Sequence, residues 1–331
     1  MFRYNRNTAF IILLTLAVIL AATSCQKLSP AKLRSNYHFN KANSLFSDGR
    51  YRLAIEEYEA ALRYNPELVE AHRFLGESYK GLFRPGVESP ENMERADKAL
   101  EALKKAYEIE PRNKEIIYSL GNMYDMLRNF EEAEKYFLMI LDMEPTNMEN
   151  YYVVAGFYKR YMGEREDLKA KAEQMYYRRI ELDPENPQGY AYLAQYFNEL
   201  APIPEFDKAY EIFKLQLGLQ PDDALLYYSM GVNRFFKTYR LQRSLSINER
   251  KKLADESEED LKKAIDLDPT YSFSYAYMNM LYRNVFALIY PERQSRYMNE
   301  ADMWQERFLD VRKRELERQR LEQELKKGEI D

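Results

Sequence analysis

Between Lys114 and Asn147 two amphipathic helical patterns stand back to back within 34 residues. In the first, Ile117, Leu120 and Tyr124 recur at steps of three and four, which places them on one helical face. Arg128-Asn129 interrupts that pattern, and Ala133, Phe137 and Ile140 then repeat the spacing. Pro145 closes the unit, because it has no N–H to continue a helix and disfavours helix in the residue before it. Gly121 and Ala133 are small where two antiparallel helices would cross, so the two are expected to meet there.

The unit recurs. Prolines 66, 111, 145, 184, 221 and 269 lie 45, 34, 39, 37 and 48 residues apart, so the excess over 34 is an insertion of 11, 0, 5, 3 or 14 residues between the helices of a unit. The expected units are 35–68, 69–113, 114–147, 148–186, 187–223 and 224–271, followed by a degenerate seventh unit and a charged capping helix over 272–331. The insertion near Phe83 to Glu94 carries Pro85-Gly86 as a turn and Ser89-Pro90-Glu91 as a helix start. The sixth unit departs most: Arg234 stands in an aromatic place, Ser257 in that of a small alanine, and the insertion Thr238 to Leu253 is the longest. In the last helix, Arg318 with Glu322 and Glu322 with Lys326 have the spacing of supporting ion pairs.

Leu120-Gly121-Asn122-Met123-Tyr124, Ala133 to Phe137 and Pro145, together with Gly76 and Tyr79 in the second unit, resemble the tetratricopeptide repeat (TPR). The resemblance implies an all-α fold: a solenoid of antiparallel helix pairs in a right-handed superhelix, with a C-terminal capping helix. It further implies that the first helix of each pair lines a concave groove for a protein segment. On this family's pattern the groove-facing places hold Phe39, Phe46, Tyr118, Tyr152, Tyr228, Phe235, Phe236 and Phe273. Asn43 and Asn122 take the place of an asparagine that bonds a bound peptide backbone in many members. Phe39 stands where a carboxylate-clamp lysine would be, so the expected occupant is an extended or helical apolar segment along Tyr118, Tyr152 and Tyr228.

The N-terminus reads as an export signal. Arg3 and Arg6 precede an apolar run from Ala9 to Ala22, too short to span a bilayer, and Thr23-Ser24-Cys25 follows. Leu20 to Cys25 resembles a bacterial lipoprotein box, which implies removal of 1–24, acylation of Cys25 and a lipidated tether over 25–32. Gln26, in place of a retaining aspartate, implies the outer membrane facing the periplasm. Residues 1–47 contain no acidic side chain, which suits either an anionic lipid surface or a basic solvated tether.

No catalytic, cofactor or metal motif is present. The 29 tyrosines and 17 phenylalanines against 11 glycines suit helix-on-helix packing and leave few glycines for phosphate loops. A net charge of −5 gives no general attraction for nucleic acid. The single cysteine excludes an internal disulfide. His38 and His72 are 34 residues apart, one repeat, and read as packing residues. The expectation is a non-enzymatic, lipid-anchored adaptor of the cell envelope. Two other readings stay open: an inner-membrane, signal-anchored structural subunit of a secretion or polysaccharide-export machine, and a hydrolase using groove carboxylates.

Overall fold

The computed structural model describes residues 29–328, and among these it is all helical, with no strand. Cys25 and the expected signal segment, 1–24, lie outside the described residues. Two compact units divide the chain, the first ending at Glu164 and the second beginning at Arg165.

The first unit holds α1 (Pro30–Ser47), α2 (Tyr51–Tyr64), α3 (Val69–Leu82), α4 (Pro90–Ile109), α5 (Lys114–Met126), α6 (Phe130–Met143) and α7 (Met148–Tyr161). Consecutive pairs pack as α1 on α2, α3 on α4 and α5 on α6. Their antiparallel sense is visible in the first pair. Ser35 Oγ, near the start of α1, donates to the Ala61 carbonyl near the end of α2 at 3.0 Å, and His38 Nδ1 meets Glu57 at 2.6 Å. Ser29 caps α1 and Pro30 occupies its first turn, so residues 30–32 are helix rather than tether.

The second unit holds α8 (Asp167–Leu182), α9 (Pro187–Glu199), α10 (Phe206–Leu219), α11 (Ala224–Arg240), α12 (Ile247–Leu267), α13 (Ser272–Leu281) and α14 (Gln294–Gly328). Here α9 packs on α10, α11 on α12 and α13 on α14. A π-helical turn, Tyr282–Phe286, extends α13, and Asn279 beside it donates to the Ala301 carbonyl of α14 at 2.7 Å. None of the described helices is long and apolar enough to cross a membrane.

The repeat boundaries follow from local chemistry. Asn65, Glu110, Glu144, Asp183, Gln220 and Asp268 each precede a proline, and each leaves helical geometry, with φ between −146° and −128° and ψ between 66° and 89°. Two residues beyond four of these prolines, Asn113, Asn147, Asn186 and Asp223 accept backbone N–H bonds and start the next helix. Six residues after the proline, a ring with a polar tip reaches back to the proline carbonyl. Tyr151, Tyr190 and Tyr275 donate to Pro145, Pro184 and Pro269 at 3.0–3.1 Å. His72 makes the same bond to Pro66 at 2.7 Å, so its Nε2 carries the proton. His72, half-buried, is therefore also a hydrogen-bonding tie, and His38 both stacks on Tyr64 and is tied to Glu57.

Helix crossings differ from the expectation at Gly121. The atoms nearest a side chain built there belong to the Phe137 ring, at 3.0–3.3 Å, rather than to Ala133. At Gly76 and Gly231 the approach is closer: Leu103 and Leu261 stand at 2.6 and 2.7 Å, and the carbonyls of Ala99 and Ser257 at 3.0 Å. The departures of the sixth repeat are explained by their neighbours. Ser257 Oγ donates to the Gly231 carbonyl at 2.7 Å, and buried Arg234 lies 3.4 Å over the Tyr210 ring with Asp207 at 3.0 Å. Its insertion lengthens both helices, and Ser246 with Glu249 forms a capping box that starts α12. On α14 the ion pairs that form include Arg296 with Glu300, Arg312 with Glu315, Arg314 with Asp310 and Arg320 with Glu324, and none around Glu322 is among them.

Candidate functional site

The first helix of each pair presents residues of its inner face, and a cavity opens against that face in each unit. In the first unit a cavity of about 200 Å³ is lined by Tyr118, Phe137, Ile140 and Val153 of α5, α6 and α7. The Lys114–Glu144 ion pair, at 2.9 Å, stands at its rim with Asn147 and Asn150. Tyr118 is 43% exposed and meets Phe137 edge-on.

In the second unit a larger cavity of about 540 Å³ lies among α9, α10 and α11. Phe206, Phe213, Leu226, Tyr228, Val232 and Phe236 give it an apolar wall, and Gln195, Asn198, Gln216 and Asn233 contribute amides. Ala191 explains the space. It stands where four of the other first helices carry Phe39, Tyr118, Tyr152 and Tyr228 (two carry Arg73 and Ala276), and no ring fills the place in front of Tyr228. Asn233 is oriented unambiguously, because its amide nitrogen donates to the Phe206 carbonyl at 3.0 Å and to Asn198 Oδ1 at 2.7 Å. From Tyr228 the aromatic wall continues onto α13: Tyr228 meets Tyr271 and Tyr277 edge-on, Tyr277 meets Phe235 and Phe236, and Tyr271 meets Phe273. Burial pushes the Tyr228 phenol above its ordinary value, with Tyr277 and Tyr271 alongside, so it stays neutral.

The expected groove residues divide accordingly. Tyr118, Tyr228 and Phe236 line cavities. Phe273 is 44% exposed, with the Arg312 guanidinium over its ring. Tyr152 is half-buried on α7. Phe39 packs against Tyr58, and Phe46 against Tyr51 and Phe74, so both are engaged between helices of the first unit. Phe235 does not face a groove. It is 3% exposed and belongs to the core with Ala254, Leu261 and Met278, because α11 turns that place toward α12 and α13. Asn43 accepts the Tyr58 hydroxyl at 2.7 Å, while Asn122 is half-buried with no partner among the described residues. Phe206, Phe213 and Ala191 were not expected at the site. Two lie on a second helix, and the third matters through the ring it lacks.

The most displaced carboxyl, Asp260, is buried against the Tyr210 hydroxyl, away from both cavities. Among the described residues no three His, Cys, Asp or Glu side chains are grouped to hold a metal.

Helices paired in series, each pair closed by a proline and crossing at a glycine or alanine, define an α-solenoid interaction scaffold. Family models described as TPR repeat and Tetratricopeptide repeat match residues 42–82 and 93–154. Over these residues the chain is built of tetratricopeptide repeats. No curated protein matches it. Among solved structures it is similar to a tetratricopeptide repeat protein from Parabacteroides merdae, at 17% identity over 84% of this chain and 93% of that one, with a TM-score of 0.42. It is also similar to YrrB, described as a TPR protein with an unusual peptide-binding site, at 18% identity over 72% and 89%, with a TM-score of 0.30. MamA from Desulfovibrio magneticus matches at 15% identity over 57% and 97%, with a TM-score of 0.41.

Proposed function

We propose that this protein is a lipid-anchored adaptor of the bacterial cell envelope that takes an apolar protein segment on the inner faces of its first helices. The observation that carries the reading is the cavity walled by Phe206, Phe213, Tyr228 and Phe236. Aromatic side chains give large contact area at small entropic cost, and a few phenols and amides orient what binds. A volume of about 540 Å³ accommodates one or two large side chains of a docked segment. Anchoring rests on the sequence around Cys25: a short apolar run ends at this one cysteine, and two or more acyl chains hold a membrane stably where one does not. Outer-membrane placement rests on Gln26.

The test is a photo-crosslinking residue at Tyr228, in native membranes, against one at exposed Leu215 on α10, outside the cavity. A discrete protein adduct from Tyr228 and none from Leu215 is expected, and equal adducts from both contradict the site. Mass spectrometry of the mature N-terminal peptide tests the anchor. An acylated Cys25 is expected, and Met1 retained with a free Cys25 thiol contradicts it.

A further inference from the structure

The insertion between the helices of the second repeat builds a cleft that the interaction faces do not use. Asn92, only 2% exposed, ties the loop together: it accepts the Arg84 N–H at 2.9 Å and donates to the carbonyls of Arg84 and Val87 at 2.8 and 2.7 Å. Gly86 makes the turn with φ +79°. Tyr51 lies so close to Gly81 that a side chain there would meet its ring at 2.8 Å, which holds the start of α2 against the end of α3.

A cleft of about 400 Å³ results, and Arg52, Arg84 and Arg95 line it together with Glu91. Arg95 is committed: it pairs with Glu91 and donates to the Leu82 carbonyl at 3.3 Å. Arg52 and Arg84 have no carboxylate partner among the described residues. Three guanidiniums and one carboxylate thus line a polar cleft, with Arg52 and Arg84 exposed at it. Each guanidinium offers a planar fork of donors that fits a tetrahedral oxyanion.

We propose that this cleft binds a phosphate group, carried by a free phosphate or by a lipid headgroup. The proposal does not depend on what occupies the aromatic cavities.

Arginine modification by phenylglyoxal tests it on the full chain in detergent, with peptides read by mass spectrometry. Inorganic phosphate or phosphatidylglycerol vesicles should slow modification of Arg52 and Arg84 relative to Arg63 and Arg112. Chloride at matched ionic strength and phosphatidylcholine vesicles should not. Protection by inorganic phosphate assigns a free phosphate. Protection by phosphatidylglycerol alone assigns a headgroup. No protection by either, or equal protection by the controls, overturns the site. An Arg52→Ala, Arg84→Ala variant should bind the protecting anion about tenfold more weakly or worse, and parent-like binding by that variant also overturns it. The protection measurement on the parent stands whether or not the variant folds.

Discussion

Asp260 shows what a single side chain does to the stability of this fold. It is buried on α12 with its Oδ2 accepting from Tyr210 of α10 at 3.0 Å. Burial is the main cause that pushes its carboxyl up to about 7, and Glu259 and Glu256 add to it, while the Tyr210 bond and Arg234 of α11 oppose it. The folded protein therefore holds this proton more tightly than the unfolded chain, whose aspartate titrates near 3.8. Between those two values the unfolded state loses its proton first, so stability falls as pH rises through the window. Asp260→Asn removes the charge and keeps an acceptor. It should be more stable than the parent at pH 8 by about 2–4 kcal/mol, at about 1.4 kcal/mol per displaced pKa unit, with the gap closing toward pH 4. Denaturant midpoints at both pH values check this, and a gap independent of pH contradicts it. Other single residues show where the sequence was silent. Arg234 and Ser257 were readable as departures from the repeat but not as partners of Tyr210 and Gly231. Those partners lie on other helices, and spacing along one helix does not report them. Phe235 looked like a groove residue for the same reason, since one residue's step, about 100° around the helix, separates it from cavity-lining Phe236.

At the scale of the element, helix ends were the most legible feature. Proline stops and asparagine caps act through backbone geometry within a few residues, so their chemistry is local and readable. Crossings were less so. The glycine positions were readable, but the distance between the backbones depends on the partner side chain. Gly76 faces Leu103 at 2.6 Å and the Ala99 carbonyl at 3.0 Å, and a carbonyl cannot rotate away. At Gly121 the nearest atoms belong to the Phe137 ring, at 3.0–3.3 Å. Gly76→Ala should therefore destabilise by about 1–3 kcal/mol through overpacking. Gly121→Ala should be near neutral, because a small shift of Phe137 is offset by a helix-propensity gain of about 1 kcal/mol. Chemical unfolding of the two variants checks the order, and equal midpoints contradict the assigned closeness at Gly76. The turn at Pro85-Gly86 and the helix start at Ser89-Pro90-Glu91 were readable in the insertion of the second repeat, but the ties that shape the insertions were not. One became a loop tied by Asn92, and the other became two longer helices joined at the Ser246 cap.

At the scale of the molecule, the all-α repeat was readable because six proline stops and the helical periodicity agree along the chain. The cavity of the second unit was not. It depends on a missing ring at Ala191 and on Phe206 and Phe213 reaching in from a second helix, and neither is a motif. That origin makes the central claim testable by filling the space rather than by destroying the wall. Ala191→Tyr puts a ring where four other first helices already carry one, at Phe39, Tyr118, Tyr152 and Tyr228, so the fold should tolerate it. The decisive measurement is the photo-crosslink yield from Tyr228 in native membranes, with and without Ala191→Tyr, after unchanged helicity and unfolding midpoint are verified. If the cavity holds the partner segment, the yield falls about tenfold or more, the loss of a buried anchor of at least 1.4 kcal/mol. An unchanged yield from the folded variant would contradict the account.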